Sequence, residues 1–186
     1  MGAAYGYGAG AGRRGDRTET IGANLLASPR DFANAVWQTG GAGATVTSNA
    51  AAGTDGATLA DRLADSSAAV TARRQQPVAV TSGATYQATL SFRAETGAFA
   101  ALEIVEGTRR LVLNPATGAF ITTGLHSATV IDRGGGWWTA TVRFAASSTT
   151  ATLRVYPAYA ATLTQTGDVA ATGNTIVDNA GLHLVS

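Results

Sequence analysis

The amino-acid sequence predicts an all-β sandwich, and three observations point to it. From residue 22 onward, short apolar runs rich in branched and aromatic residues alternate with clusters of Gly, Ser, Thr, Asn and Asp. Several of these runs place apolar and polar residues at alternate positions, as a half-buried strand requires. No long segment has helical periodicity, although residues 30–36 have room for one short turn. Among sandwiches we expect a jelly roll.

The alternation identifies the individual strands. The clearest one runs from Tyr86 to Ala94, where the even positions are apolar and the odd positions are polar. The same alternation occurs at Leu153 to Pro157 and around Leu102 and Ile104. We place strands near residues 23–26, 33–38, 44–48, 57–63, 68–74, 78–81, 85–95, 99–106, 109–113, 119–122, 125–131, 137–146, 150–158 and 174–185.

The stretch from Arg133 to Ala146 reads as a glycine turn that leads into a long strand. Successive side chains of a strand point to opposite faces. We therefore expect Trp138 and the apolar residues that share its parity to face the core. Trp137 and Arg143, with two threonines between them, should face outward.

Length and composition limit the possible functions. A chain of 186 residues is long enough to form one domain with its own core. Only 13% of the residues are charged and the formal net charge is +1, so nothing favours a nucleic-acid partner. All basic residues are arginines, and cysteine is absent, which excludes disulfides and thiolate metal sites. No apolar run has the length of a membrane span and the first residues lack a signal-peptide core, so we expect no membrane insertion.

The sequence divides into a flexible Gly- and Ala-rich arm, residues 1–21, and a sandwich domain, residues 22–186. An arm of this composition cannot bury enough surface to offset its ordering entropy. It is either a simple disordered tail or a segment that attaches the protein to an assembly. For attachment, the candidate contacts are Tyr5, Tyr7, Arg13 and Arg14.

Four motifs resemble those of jelly-roll carbohydrate-binding modules, in particular the type found in phage tail and head fibres. The residues that carry the resemblance are Asn24-Leu25-Leu26 with Phe32 and Trp37, Asp55-Gly56 with Leu63, Gly134 to Trp138, and Ile176 to Leu182. Thr139 departs from the pattern, because the phage group has arginine there. The head-spike fibres of gene transfer agents and related siphophages are the members that this chain most resembles.

The resemblance implies a virion spike or fibre, released from a bacterial cell, that binds host cell-surface or capsular polysaccharide. It implies attachment to a capsid or spike-base protein through the arm, and we expect a homo-oligomer. The alternative is a structural capsid decoration or adaptor that does not bind glycans and whose outward face is a subunit interface.

Sugar-binding sites combine an aromatic platform with planar hydrogen-bonding groups. Outward-facing residues of both kinds form a single patch if their strands are neighbours in one sheet. Alternatively, Trp137 is packed under a loop or against another subunit, and the arginines only solvate the surface. The candidate binding residues are Gln87, Arg93, Glu103, Trp137, Arg143, Arg154 and Tyr156.

The enzyme-linked relatives of the family often hold a structural Ca²⁺ between the opening segment and a closing aspartate. Asp178 matches that aspartate, but Phe32 is followed by Ala33 where the family usually has a carboxylate. Asp178 is thus either a calcium ligand or a turn cap, and we expect no other cofactor.

We do not expect an enzyme. No serine lies in a nucleophile-elbow motif and no histidine pair has metal-ligand spacing. Glu103 and Glu106 are three residues apart in a predicted strand, so they point to opposite faces and do not form a convergent acid–base pair.

Overall fold

The computed structural model describes residues 18–56 and 59–186, and in this part of the chain twelve strands form two antiparallel sheets. The strands are β1 (Gln38–Gly40), β2 (Ala44–Ala52), β3 (Leu59–Asp65), β4 (Arg73–Ala79), β5 (Thr85–Ala94), β6 (Phe99–Ile104), β7 (Arg109–Leu113), β8 (Phe120–Thr123), β9 (Ser127–Gly134), β10 (Trp137–Ala145), β11 (Thr150–Ala160) and β12 (Gly173–Val185).

Sheet A has the strand order β2-β3-β12-β5-β10-β9, and sheet B has the order β1-β4-β11-β6-β7-β8. The chain crosses repeatedly between the two sheets, and each sheet contains strands from both halves of the sequence. The predicted all-β jelly-roll sandwich is confirmed.

The core lies between the sheets and is filled by the apolar parity of each strand. Leu90 and Phe92 of β5, Phe144 of β10 and Leu153 of β11 are fully buried there. Trp37 is 1% exposed and belongs to the same core. Trp138 is half-buried and packs on the same cluster, which confirms the parity predicted for β10.

Four of the predicted strands, those at 23–26, 33–38, 68–74 and 78–81, were wrong. Residues 23–26 have no regular secondary structure, and the Oδ1 of Asn24 accepts a hydrogen bond from the N–H of Leu26. Most of residues 33–38 form turns, because Asp31 and Asn34 accept hydrogen bonds from the N–H groups of Asn34 and Val36. The segments predicted at 68–74 and 78–81 are replaced by the single strand β4. The loop before β4 is fixed by the carboxylate of Asp65, which accepts hydrogen bonds from the N–H groups of Ser67 and Ala72.

The opening of the described chain pairs with its end. Thr20 exchanges two backbone hydrogen bonds with Ser186, and the N–H of Gly22 donates to the carbonyl of Leu184. This pairing begins two residues before the predicted domain boundary at residue 22. Tyr5, Tyr7, Arg13 and Arg14 of the arm lie outside the described residues.

Among the described residues, no helix has the length and apolar character needed to cross a bilayer.

Candidate functional site

The seven candidate binding residues lie on two opposite outer faces of the sandwich. Strands β5 and β10 belong to sheet A, whereas β6 and β11 belong to sheet B. The condition for a single patch, namely that these strands be neighbours in one sheet, is therefore not met. Gln87, Arg93, Trp137 and Arg143 lie on sheet A, and Glu103, Arg154 and Tyr156 lie on sheet B.

Trp137 is not the exposed platform that its parity suggests. It is 5% exposed and packs against Ala60 and Ile176 on the outer side of sheet A. Ala50 and Ala51 of β2 pack against the same cluster, and the guanidinium of Arg93 lies 5.1 Å from the centre of the indole ring. The ring is thus covered by residues of neighbouring strands of its own sheet, whereas the alternative interpretation of the sequence placed it under a loop or against another subunit.

The rest of the outer face of sheet A carries hydroxyl groups. The hydroxyls of Ser91 and Thr139 are 2.9 Å apart, and the Nε of Arg143 donates to Gln87 at 3.3 Å. A groove of about 510 Å³ lies over this face and has no aromatic residue among its described lining. The groove is lined by Thr54, Asp55, Gln87, Thr89, Ser91, Arg133, Thr139, Thr141 and Asn179.

The outer face of sheet B carries a row of polar side chains that crosses all six strands. Its members are paired in register from strand to strand, so their side chains point the same way and meet their neighbours directly. In spatial order the row is Gln38, Gln75, Arg154, Glu103, Arg110 and Thr123.

Glu103 is the centre of this row. Its Oε1 accepts a hydrogen bond from Arg110, and its Oε2 accepts hydrogen bonds from the Tyr156 hydroxyl at 2.6 Å and from Arg154 at 3.4 Å. The Nε of Arg154 also donates to Gln75 at 3.0 Å. A 5%-exposed carboxylate with two cations and a hydroxyl around it is a fixed acceptor, and it holds both guanidinium groups in place.

These contacts change the acidity of the groups involved. Burial by itself raises the pKa of Glu103, but the hydrogen bonds from Tyr156 and Arg110 outweigh it, and the net pKa lies below the usual range. For Tyr156, burial and then the hydrogen bond to Glu103 raise the pKa to about 12. The row is therefore ionised at Glu103 and protonated at Tyr156 at neutral pH.

Beside the polar row, two tyrosines form the floor of a groove. The rings of Tyr156 and Tyr159 pack edge to face with centroids 5.3 Å apart. The guanidinium of Arg110 lies 4.8 Å from the Tyr159 ring, and that of Arg73 lies 6.0 Å from the Tyr156 ring. Both tyrosines are about 5% exposed, so they form the floor of the groove and do not offer an exposed, flat aromatic surface.

The walls of this groove come from two loops. The loop before β4 contributes Val70 and Thr71, and the loop between β11 and β12 contributes Gly167 and Val169. The groove is open and has a volume of about 470 Å³. Val70 and Val169 are 39% and 50% exposed, so its rim offers apolar surface above a charged floor. We call it the sheet B groove; it is lined by Gly41, Val70, Thr71, Arg73, Glu103, Arg110, Arg154, Tyr156, Tyr159, Gly167 and Val169.

The sequence analysis missed Arg73, Arg110 and Tyr159 of this groove and Gln75 of the adjacent polar row. The signal existed for two of them: β4 contains the run Arg73-Arg74-Gln75-Gln76, whose alternate members must face outward. The alternate residues Arg74 and Gln76 point inward, where Arg74 donates to the carbonyl of Phe32 and Gln76 bonds to the backbone of Ala27.

Asp178 does not have the surroundings of a calcium ligand. Its fully buried carboxylate accepts two hydrogen bonds from Arg30, at 2.9 and 2.8 Å, and two from the N–H and hydroxyl of Thr54, at 2.8 and 2.9 Å. Arg30 also donates to Asp55 at 2.8 Å. Because the guanidinium of Arg30 already joins the opening segment to the closing strand here, calcium does not fit. Asp178 does accept hydrogen bonds from Thr54, as a turn cap would, but it also forms an ion pair with Arg30.

Among the residues that the structure describes, no group of three or more His, Cys, Asp or Glu side chains is arranged to hold a metal ion.

No protein-family model matches the chain, and no curated protein matches it significantly. Its fold is similar to that of several solved structures. One is the enzymatically active domain of tailspike protein 4 of bacteriophage CBA120, with a TM-score of 0.52 and 13% identity over 87% of this chain. Others are TmCBM61, solved in complex with β-1,4-galactotriose (TM-score 0.46, 14% identity, 86% of this chain and 97% of that one), and TmCBM27, a mannan-recognising carbohydrate-binding module (TM-score 0.41, 14% identity, 90% and 98%).

The likeness to the tailspike domain shows the fold. This chain spans 21% of the length of that tailspike chain. Identities of this size do not show which residues of the sandwich form a site.

Proposed function

We propose that this protein is a glycan-binding spike or fibre of a phage-like particle, released from a bacterial cell, that attaches to host cell-surface or capsular polysaccharide. The observation that carries the proposal is the sheet B groove, where fixed guanidinium and carboxylate groups lie beside two tyrosines and an apolar rim. Sugars present hydroxyl groups at their edges and C–H groups on their faces, so a groove of this composition complements them. The likeness of the fold to a phage tailspike domain supports the virion setting.

We propose binding rather than catalysis. Hydrolysis of a glycosidic bond uses two carboxyl groups on either side of the scissile bond. Among the described residues that line the sheet B groove, Glu103 is the one carboxylate, and both of its oxygens already accept hydrogen bonds from Arg110, Arg154 and Tyr156. A carboxylate held in this way positions its neighbours.

Single glycan sites are weak, and display of many copies on one particle multiplies their effect. A homo-oligomer on a capsid or spike-base protein, attached through the arm, supplies that display. The alternative, a structural decoration without glycan binding, requires that the same face of sheet B be covered in the assembled particle.

The chain contains a matched pair of arginines for the test. Arg154 on sheet B and Arg143 on sheet A are each half-buried and bonded to one glutamine and one glutamate. The full chain, displayed in many copies on beads, is incubated with polysaccharide extracted from candidate bacterial surfaces. We expect R154Q to weaken binding about tenfold, since it removes a charge-assisted hydrogen-bond donor, and R143Q to change it by less than about twofold.

The outcomes separate three possibilities. Loss of binding in R143Q alone moves the site to the hydroxyl face of sheet A and contradicts the sheet B groove. Absence of binding by the multivalent wild-type protein favours the structural alternative. Thermal unfolding of both variants confirms that any loss is not caused by misfolding.

A further inference from the structure

The charges in the sheet B groove are unbalanced. Its described lining contains three guanidinium groups, those of Arg73, Arg110 and Arg154, and the single carboxylate of Glu103. The formal net charge of the whole chain is only +1, so the groove is more positive than the molecule that surrounds it. An excess of positive charge in one concavity raises the local concentration of anions at that concavity.

The hydrogen-bond donors in the groove are also in excess. Each guanidinium has five N–H groups. Glu103 is already fully engaged by Arg110, Arg154 and Tyr156. Arg73 donates to Gln75 at 3.2 Å and has no ion pair with any carboxylate of the described residues. A guanidinium at the groove wall that lacks a carboxylate partner can bind one bidentately from a ligand.

The groove of sheet A offers a contrast within the same molecule. Its described lining has one arginine, Arg133, and one aspartate, Asp55, among hydroxyl and amide side chains. That lining is balanced in charge. The positive excess is therefore a property of the sheet B groove rather than of arginine-rich composition throughout the chain.

We infer that the sheet B groove selects acidic glycans, with Arg73 as the residue that binds the anionic group of the sugar. This inference rests on the proposed glycan binding and narrows its ligand to sugars that carry a carboxylate or a sulfate. Arg110 and Arg154 are held in place by Glu103. They add positive electrostatic potential to the groove and donate hydrogen bonds to the hydroxyl groups of the sugar.

The test uses polymers that differ only in charge. The full chain is titrated with polygalacturonate and with its carboxyl-reduced form, and with dextran sulfate and dextran. Polyglutamate serves as an acidic polymer that is not a sugar. We expect at least one acidic polysaccharide to bind about tenfold more tightly than its neutral counterpart, and added salt to reduce the difference. The pair that shows the difference identifies carboxylate or sulfate as the anion.

Two variants assign the effect to a residue. R73Q should lose about tenfold in affinity for the acidic polymer and little for the neutral one. R133Q removes the same charge from the groove of sheet A and should change the affinity by less than about twofold. Unchanged thermal unfolding of R73Q confirms that the variant is folded.

Each other result overturns the inference. Equal affinity for acidic and neutral polymers refutes acidic selection while glycan binding stands. An equal loss in R133Q and R73Q shows diffuse attraction rather than a site. Binding of polyglutamate as tight as that of the acidic sugars shows a general anion surface. Binding of none of these polymers refutes acidic selection, whereas the proposed glycan binding is contradicted only if the bacterial-surface polysaccharides also fail to bind.

Discussion

At the residue scale, Asp178 is a buried charge that ties three segments of the fold together. It is fully buried in β12, and it joins β12 to the opening segment through Arg30 and to the loop after β2 through Thr54. The D178N variant keeps the size of the side chain but faces Arg30 with an amide instead of a carboxylate. We expect the free energy of unfolding to fall by about 2–4 kcal/mol, measured by urea denaturation.

The matched control is Asp55, which accepts a hydrogen bond from the same guanidinium but is itself exposed. Because exposed ion pairs contribute little, D55N should cost less than about 1 kcal/mol. Equal losses in the two variants would show that burial of Asp178 is not what matters. A rise in the Tm of the wild-type protein on adding calcium would contradict the assignment of Arg30 as the partner of Asp178.

At the scale of elements, the polar row of sheet B connects six strands through their side chains, and Glu103 is the one carboxylate in it. Its pKa is lowered in the folded protein. Glu103 thus contributes stability in full above its unfolded pKa, near 4.3, and this contribution is lost as the pH falls through the lower folded value. We expect E103Q to be less stable than the wild type by about 2 kcal/mol at pH 7, and the difference to shrink below about pH 4.

The control for this pH profile is E95Q. Glu95 accepts hydrogen bonds from Arg62 at the surface, at 2.6 Å for the Nε of Arg62. Because the pair is exposed to solvent, we expect E95Q to change the free energy of unfolding much less than E103Q does. A constant difference between E103Q and the wild type from pH 7 to pH 3 would mean that Glu103 stabilises the row by packing and not by its charge.

The alternation of residues predicted which face of each strand is buried, because the side-chain period of a strand is a local property. Leu90, Phe92 and Phe144 are in the core, and Gln87 and Arg143 face outward, as expected. Local patterns do not carry the pairing of distant strands. For this reason the sequence pattern did not predict that Tyr156 and Trp137 lie on different sheets. It also did not predict that Arg110 and Arg154 bind the same carboxylate, that of Glu103.

The burial of Trp137 has the same origin. Its parity correctly placed it on the outer side of sheet A, but the side chains that cover it come from elsewhere in the chain. Ala60 and Ile176 belong to strands β3 and β12, and Arg93 belongs to β5. Whether an outward-facing side chain is exposed depends on neighbours that are distant in sequence. The residue pattern of one strand does not predict those neighbours.

At the scale of the whole molecule, the start of the described chain and the sheet B groove lie on opposite sides. Glu19 accepts a hydrogen bond from Arg143, which faces outward from sheet A, at 2.7 Å. The groove opens on the outer face of sheet B. A protein attached through its first residues therefore presents the groove away from the point of attachment, which suits the proposed display on a particle.

This arrangement predicts different effects for two deletions. Deleting residues 2–17 leaves the described pairing with β12 intact, so we expect the Tm to change by less than about 2 °C and glycan binding to persist. Deleting residues 2–25 also removes the hydrogen bonds that Thr20, Gly22 and Leu25 make with Ser186, Leu184 and Leu182. It further removes the side chain of Asn24, which bonds to Ala180 and Leu182.

For the longer deletion we expect the Tm to fall by about 10 °C, because several backbone hydrogen bonds are lost at once. Differential scanning calorimetry of the two deletions beside the full chain measures this difference. An equal fall in both would place stabilising contacts within residues 2–17 and contradict the role of that segment as an attachment arm. If the shorter deletion has a normal Tm but is not incorporated into particles, residues 2–17 are needed for attachment and not for folding.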